Sequence, residues 1–457
     1  MLDVLMTEDE AASALLAFVF SGALGSPKGR GVGYALMETT PTTFSWSAAL
    51  ADIDGPPVPI DRYLVRIDRR SKAISPPELI KLTETELAEV ILLATGQHLA
   101  SSSRFTDGAL SISYLAKVQE NADVAYVVQL RHHGNVASMD ALMMLISKTV
   151  DTRILPVPRV YPIPGERSRQ KATGMGRQIT QLIQGTVASA VYPSLPHDEK
   201  LVFVGKMACA FQACWSIQLP EPRLIGELIV GADPDDGGKD EPGTTPRLGD
   251  STYFSIGPDR HYNLGGPFSS VREYLQAHIK STLIALEKQQ GIEEYKEQYL
   301  ERIRDFVHNR MDVYKIPSIV EDTPVVAIHS DMGPHNVIIS DHTPINIHAI
   351  IDWEFVASAP FLSQYRIIEM LFRKPAPNGF GPEYEGAAEL RQAFWDAIPK
   401  WKKLWSESES TQVFLEWFKF GLFLKPEWRP KDLEEDQAQE YWRENIRVVE
   451  GLLQKYV

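Results

Sequence analysis

Apolar residues recur along this chain in two rhythms, and the switches between them mark out its organisation. Leu87, Val90, Ile91 and Ala94 fall three and four apart, the period of one helix face. Thr83 and Glu86 supply a capping box ahead of them, and Gly96 stands where the helix should stop. The period then shortens. RFTDGALSISYLAKV (104–118) predicts strand, glycine-containing turn and strand, and YVVQLR (126–131) a third strand. MDALMMLISKTV (139–150) predicts a helix. LPVPRVYPI (155–163) must be extended, because Pro156 and Pro158 forbid a helix. RQITQLIQG (177–185) predicts one more strand, ending at Gly185. Strands with one intervening helix predict a small antiparallel sheet domain over 98–184.

From His197 the pattern becomes helical. HDEKLVFVGKMACAFQACWSIQL (197–219), the runs 267–291 and 293–314, and the chain beyond 380 all read as helices. Ile446, Val449, Leu452 and Leu453 form one face of a last helix. Residues 232–250 mix Gly, Pro and acids, so Asp233, Asp235 and Asp236 read as a solvated loop. Residues 1–75 read as an extension. It holds an apolar helix-like run at 11–25, a turn with Gly29, Gly31 and Gly33, and a strand-like YLVRIDR (63–69), and Pro76 and Pro77 break the chain after it. The expected division is 1–97, 98–184 and 185–457.

Two short strand-like runs stand out within the helical region. NVIIS (336–340) and INIHAIID (345–352) are joined by DHTP, a turn sequence, and so predict a hairpin. Folded back, they bring Asn336 and Asp352 to one edge. A neutral oxygen beside a carboxylate suits a hard cation such as Mg2+. Asp331, five residues before Asn336, lies on the loop entering the hairpin, close enough to act on a nucleophile. Such an arrangement fits phosphoryl transfer, which asks little of a protein beyond positioning and charge neutralisation.

The pattern H-x-D-x-x-x-x-N, read with I-D-W-E, resembles the aminoglycoside phosphotransferase and choline kinase-like family. LPVPRVYPI, QLIQG and GGPFSSVREYL are similar to its fungal members. The match runs over about 98–365. The resemblance implies an α+β, two-lobed protein-kinase-like fold, with a small antiparallel-sheet N-lobe and a mostly helical C-lobe. It implies ATP and Mg2+ as cofactors and a small-molecule hydroxyl as acceptor, in the C-lobe. His329 and Asp331 fall on its catalytic loop, Asn336 and Asp352 on its metal ligands. Thr106 to Ser113, with Gly108, Ser111 and Ser113, falls on the nucleotide loop, and Gln181 to Ile183 on the segment that meets adenine. The family carries Lys or Arg on its third strand, paired with a Glu on the next helix. Here Gln129 aligns with that cation, Arg131 lies two residues on, and Asp140 is the nearest acid. Arg66 offers a rival strand, but only YVVQLR precedes LPVPRVY after one helix. Ser330 replaces the usual Gly. The Gln129 exchange motivates a second reading, a binding or regulatory protein on a degenerate kinase fold. A hydrolase using the same metal site is a third.

Composition narrows the field. The chain has 457 residues and a formal net charge of −14. That balance argues against a nucleic-acid partner. The apolar run at 11–25 is short for a membrane span and follows an acidic start, so neither an anchor nor a secretory signal is expected. Cys209 and Cys214, five apart on one helix, read as reduced core thiols. A cytoplasmic protein is expected, and the oligomeric state is open.

Overall fold

The computed structural model describes residues 81–105, 111–121, 123–131, 135–230, 254–259, 263–311, 316–376, 379–426 and 442–456, with the backbone of five earlier strands. It falls into two compact units, Met1–Val90 and Ile91–Val457. In the first, Val32–Thr40 and Thr43–Leu50 pair antiparallel, Thr43–Leu50 pairs with Val58–Pro59 and Val65–Asp68, and Val4–Met6 lies parallel to Val65–Asp68. The strand expected near 63–69 is Val65–Asp68. The helix expected at 11–25 and the positions of Gly29 and Gly31 lie outside the described residues. Helix α1 (Glu84–Thr95) opens with the capping box: Glu86 N–H donates to Thr83 Oγ1, and Thr83 N–H to Glu86 Oε2. Gly96 follows in the left-handed conformation, φ +72°.

The second unit begins with a four-stranded antiparallel sheet in the order β1 (Leu99–Arg104), β2 (Ser111–Val118), β3 (Ala125–Arg131), β4 (Gly176–Gln181). The sheet is as expected, but its first strand is LASSSR, ending where the sequence reading began one. A serine-rich edge strand shows no apolar alternation; its register with β2, Arg104 opposite Tyr114, is set by backbone pairing. Helix α2 (Val136–Thr149) is capped by Asn135, whose side chain accepts from Ser138 N–H. A second helix, α3 (Glu166–Thr173), was not foreseen. It has no apolar face; Glu166 is buried and held by Arg169 and Arg177. β4 stops at Gln181, four residues before Gly185. Gly185 starts the short β5 (Thr186–Val187), which pairs with the hairpin described below.

Helices dominate the remainder, in keeping with the two-lobed α+β expectation. They include α4 (His197–Trp215), α5 (Val271–Lys288), α6 (Glu293–Asp305), the short α7 (Tyr365–Glu369), α8 (Ala387–Asp396), α9 (Pro399–Glu407), α10 (Glu409–Leu424) and α11 (Arg443–Tyr456). Helix α10 packs on α5 and α11, and α4 on α8. Cys214, on α4, is buried and free, and burial pushes its thiol up to about 12; Cys209 is also free. No helix among the described residues is long and apolar enough to cross a membrane. The loop holding Asp233, Asp235 and Asp236 lies outside them.

Besides a two-stranded ribbon, Arg373–Ala376 paired with Gly379–Glu383, two small sheets sit among these helices. One contains β6 (Gly226–Val230), β7 (Phe254–Gly257), β8 (Val325–His329) and β11 (Val356–Pro360), in the order β7-β6-β11-β8. The other joins β5 to the expected hairpin, β9 (Val337–Ile339) and β10 (Ile347–Ile350), with Val337 opposite Ile350. β11 is VASAP, small residues buried throughout. It returns antiparallel to β8, setting His329 opposite Val356. The chain therefore enters and leaves the hairpin at neighbouring points.

Gly185 tests this arrangement. Its φ is +135°, and a Cβ there would lie 2.2 Å from the carbonyl oxygen of Ile339. Gly185→Ala is expected to cost about 2 kcal/mol or more, from backbone strain and displacement of the hairpin. Chemical denaturation of the two proteins measures it, and an unchanged midpoint would contradict the pairing of β5 with β9.

Candidate active site

The loop between β8 and β9 carries the first cluster. Asn336 Nδ2 donates to Asp331 at two points, the backbone oxygen (3.0 Å) and Oδ2 (3.0 Å). Asp331 Oδ1 meets His335 Nε2 at 2.9 Å. Asp331 is left partly exposed, its side chain at 30%, and Asn336 is buried. These contacts spend the amide's N–H groups and leave Asn336 Oδ1 without a partner among the described residues.

His329 does not face this cluster as a reactive group. It is fully buried, edge-on to Trp353 at 4.9 Å. Its Nδ1 accepts from Asp331 N–H (3.2 Å), and its Nε2 lies 3.1 Å from Ile351 O. A carbonyl can only accept, so the proton sits on Nε2. Burial lowers its pKa, which keeps the ring neutral. The sequence reading put His329 with the catalytic residues; the structure puts it beneath the loop, fixing where Asp331 begins. Gln364 adds a second support, donating to His329 O (2.6 Å) while accepting from Trp215 of α4 (2.6 Å).

Asp352 arrives from the other side of the hairpin. Its φ is +65°, a left-handed turn that Asp tolerates better than most residues. The two loops are stitched together: Ser330 N–H donates to Phe355 O (2.8 Å), and Ile351 N–H to Asn336 O (2.9 Å). Sequence reasoning had placed Asn336 and Asp352 at one edge, and the register gives them neighbouring positions.

The sheet contributes its charge through Arg131, at the end of β3. The side chain is 3% exposed, far from a solvent-facing strand end. Nη2 donates to Asp352 Oδ1 (2.9 Å) and Gln129 Oε1 (3.1 Å), Nη1 to Glu354 Oε2 (2.5 Å), and Nε to Gln178 Oε1 (3.1 Å). Gln178 in turn donates to Asp140 of α2 (2.7 Å). The cation on the strand and the acid on the helix thus meet through an intervening amide. Glu354 and Gln178 were not picked out from the sequence. Glu354 lies two residues past Asp352 in I-D-W-E, which was the available signal; Gln178 gave none.

The remaining expected residues are less assembled. Ser113 sits opposite Gln129 in the β2–β3 register, with its Oγ 3.5 Å from Gln129 Nε2. Ser111 pairs opposite Arg131 by its backbone; its side chain and Gly108 lie outside the described residues. Gln181 N–H donates to Arg159 O and Leu182 N–H to Ala125 O, so neither is open to a ligand. Ile183 N–H has no partner among the described residues. A hollow lined by Gln181, Leu182, Ile183 and Gln184 also takes in Pro156 and His348, but no member of the carboxylate cluster.

Asp140 gives this network a pH signature. Burial pushes its carboxyl from about 3.8 up to about 7, against the opposing pull of the Gln178 bond and the Arg131 charge. The folded state then holds a proton that the unfolded chain has released, so stability falls as pH rises through that window. Asp140→Asn keeps an oxygen for Gln178 and removes the charge. The variant's advantage in melting temperature is expected to widen from about pH 4 and level off above about pH 7. A difference that does not vary with pH would show that Asp140 stays ionised throughout.

Comparison with known proteins follows the same region. None of the curated proteins matches the chain. Among solved structures it is similar to the streptomycin–ATP ternary complex of APH(2")-IIa, at 13% identity, over 82% of this chain and 97% of that one, with a TM-score of 0.43. It is also similar to the GDP complex of wild-type aminoglycoside 2'-phosphotransferase-IIIa (13%, 82% and 100%, 0.44) and to Plasmodium vivax ethanolamine kinase (12%, 82% and 91%, 0.41). The family model described as the phosphotransferase enzyme family matches residues 103–394, from the end of β1 into α8. That span is well over half of the sequence and takes in Arg131, the 329–336 loop and Asp352, as the resemblance in those motifs led one to expect: the chain belongs to the phosphotransferase enzyme family.

Proposed function

We propose that this protein transfers the γ-phosphoryl group of ATP to a hydroxyl of a small molecule, with Asp331 as the base. The observation that carries the reading is the convergence of Asp331, Asn336, Asp352 and Arg131 on one place, from two loops and a strand. The acceptor hydroxyl attacks the γ-phosphorus as its proton passes to an Asp331 carboxylate oxygen; the bond to the bridging oxygen breaks, and ADP leaves. His335 and Asn336 hold that carboxylate in place. Arg131, engaged by Asp352, Glu354, Gln129 and Gln178, holds Asp352 in place. Ile183 N–H is the backbone donor left for adenine.

The donor set suits Mg2+. Asn336 Oδ1 and Asp352 Oδ2 are hard oxygens with no partner among the described residues, and a guanidinium already answers the charge on Asp352. Among those residues no three His, Cys, Asp or Glu side chains converge as a cage. Mg2+ is ordinarily held by one or two protein oxygens together with substrate phosphates, so two donors suffice. When bound, the ion neutralises charge on the phosphates.

A binding protein on the same fold would take up nucleotide and stop there, so binding and turnover are measured separately. ATP with Mg2+ is expected to raise the melting temperature, and a screen of hydroxylated metabolites to release ADP only with an acceptor. Asp331→Ala is expected to keep the thermal shift and lower turnover by about 10²–10⁴-fold. Asp352→Asn should lose the Mg2+-dependent part of the shift. Arg131→Met, which leaves Glu354 and Asp352 unanswered, should lower the melting temperature of the nucleotide-free protein by several degrees. Full turnover by Asp331→Ala would remove Asp331 as the base; acceptor-independent ADP release would favour hydrolysis.

A further inference from the structure

The helical region holds a second cavity, of about 480 Å3, remote in composition from the residues above. Tyr365 and Phe372 line it together with Trp395 and Trp405, whose rings stack at 4.9 Å and 8°. In a chain of net charge −14, its charged lining is mostly basic. Four of its five cations have acids. Arg373 bonds Glu369 (3.1 Å) and Glu444 (3.2 Å), and Arg391 bonds Glu369 (2.8 Å) and Glu383 (2.6 Å). Lys402 bonds Asp396 (2.5 Å), and Arg447 lies 3.8 Å from Glu444.

Lys419 is the exception. Among the described residues its ammonium has neither an ion-pair partner nor a hydrogen bond, only the face of Tyr365, 4.2 Å from the ring centroid. Burial lowers its pKa, although Glu369 and Glu444 act from farther off in the other direction. A half-buried ammonium without a counter-ion is costly, and an aromatic face recovers only part of the loss. The cavity therefore offers a flat aromatic wall and one unanswered positive charge. We propose that it binds a small aromatic monoanion, with the ring against the Trp395–Trp405 stack and the carboxylate on Lys419. None of its lining residues belongs to the 329–336 loop or to the turn bearing Asp352 and Glu354. Tyr365 and Ile368 face the cavity, while Gln364 supports His329.

Calorimetric titration of the full chain with 2-naphthoate, and with its cationic counterpart 2-naphthylmethylammonium, tests the assignment without nucleotide. Saturable binding of naphthoate is expected, at least about tenfold tighter than the cation. Lys419→Met should weaken it by about tenfold, and Lys419→Arg should restore it. Lys455→Met, which loses a cation paired with Glu416 and outside the cavity lining, should change nothing. Melting curves identify any variant that fails to fold, and Lys419→Gln is then the second neutral replacement. Asp331→Asn should bind naphthoate as the wild type does, so this result stands apart from the catalytic proposal. No saturable binding, equal affinity for the cation, or unchanged affinity in the folded neutral variant would overturn it.

Discussion

A guanidinium buried between two carboxylates organises the candidate site. Arg131 comes from the sheet, Asp352 and Glu354 from the turn after the hairpin; Arg131 and Glu354 are buried and Asp352 is partly exposed. Taking such charges out of solvent costs several kcal/mol per ion, and the cost is met only when the geometry answers every donor. Here all three guanidinium nitrogens are engaged: Nη1 with Glu354, Nη2 with Asp352 and Gln129, and Nε with Gln178. The price of leaving one partner unmatched ties the end of β3 to the loop that bears Asp352. Sheet and helical region meet at this point through an interaction that tolerates little displacement.

The same logic runs through the neutral groups beneath it. His329 accepts from one side and donates from the other, so its tautomer follows from its neighbours. Gln364 carries the support down to Trp215 on α4. Each buried polar atom in this chain of contacts has a partner, as low-dielectric surroundings demand. Asp331, partly exposed, sits at its open end beside the buried Asn336. The loop keeps its shape through backbone stitching to 351–355 and through Met332, which is buried in the core.

Much of this was legible locally. The capping box at Thr83, the hairpin at 336–352 and the long helices follow from periods and turn residues, and the structure has them. The spacing of His329, Asp331, Asn336 and Asp352 was enough to suggest the family. Elements that lack an apolar rhythm escaped: serine-rich β1, charged α3 and small-residue β11. They are held by backbone pairing or ion pairs, whose partners a sequence does not display.

The sequence by itself determined the faces of those elements that carry an apolar rhythm, and it predicted that three polar side chains gather at one end of a hairpin. It left open whether Arg131 supplies the strand's charge or faces solvent, and it was silent on Glu354, Gln178 and the pocket at Lys419. Arg131 and Asp352 are 221 positions apart, and Arg131 and Glu354 are 223. Only the tertiary structure decided those pairings, because desolvation makes a buried charge depend on whatever the fold brings within about 3 Å of it.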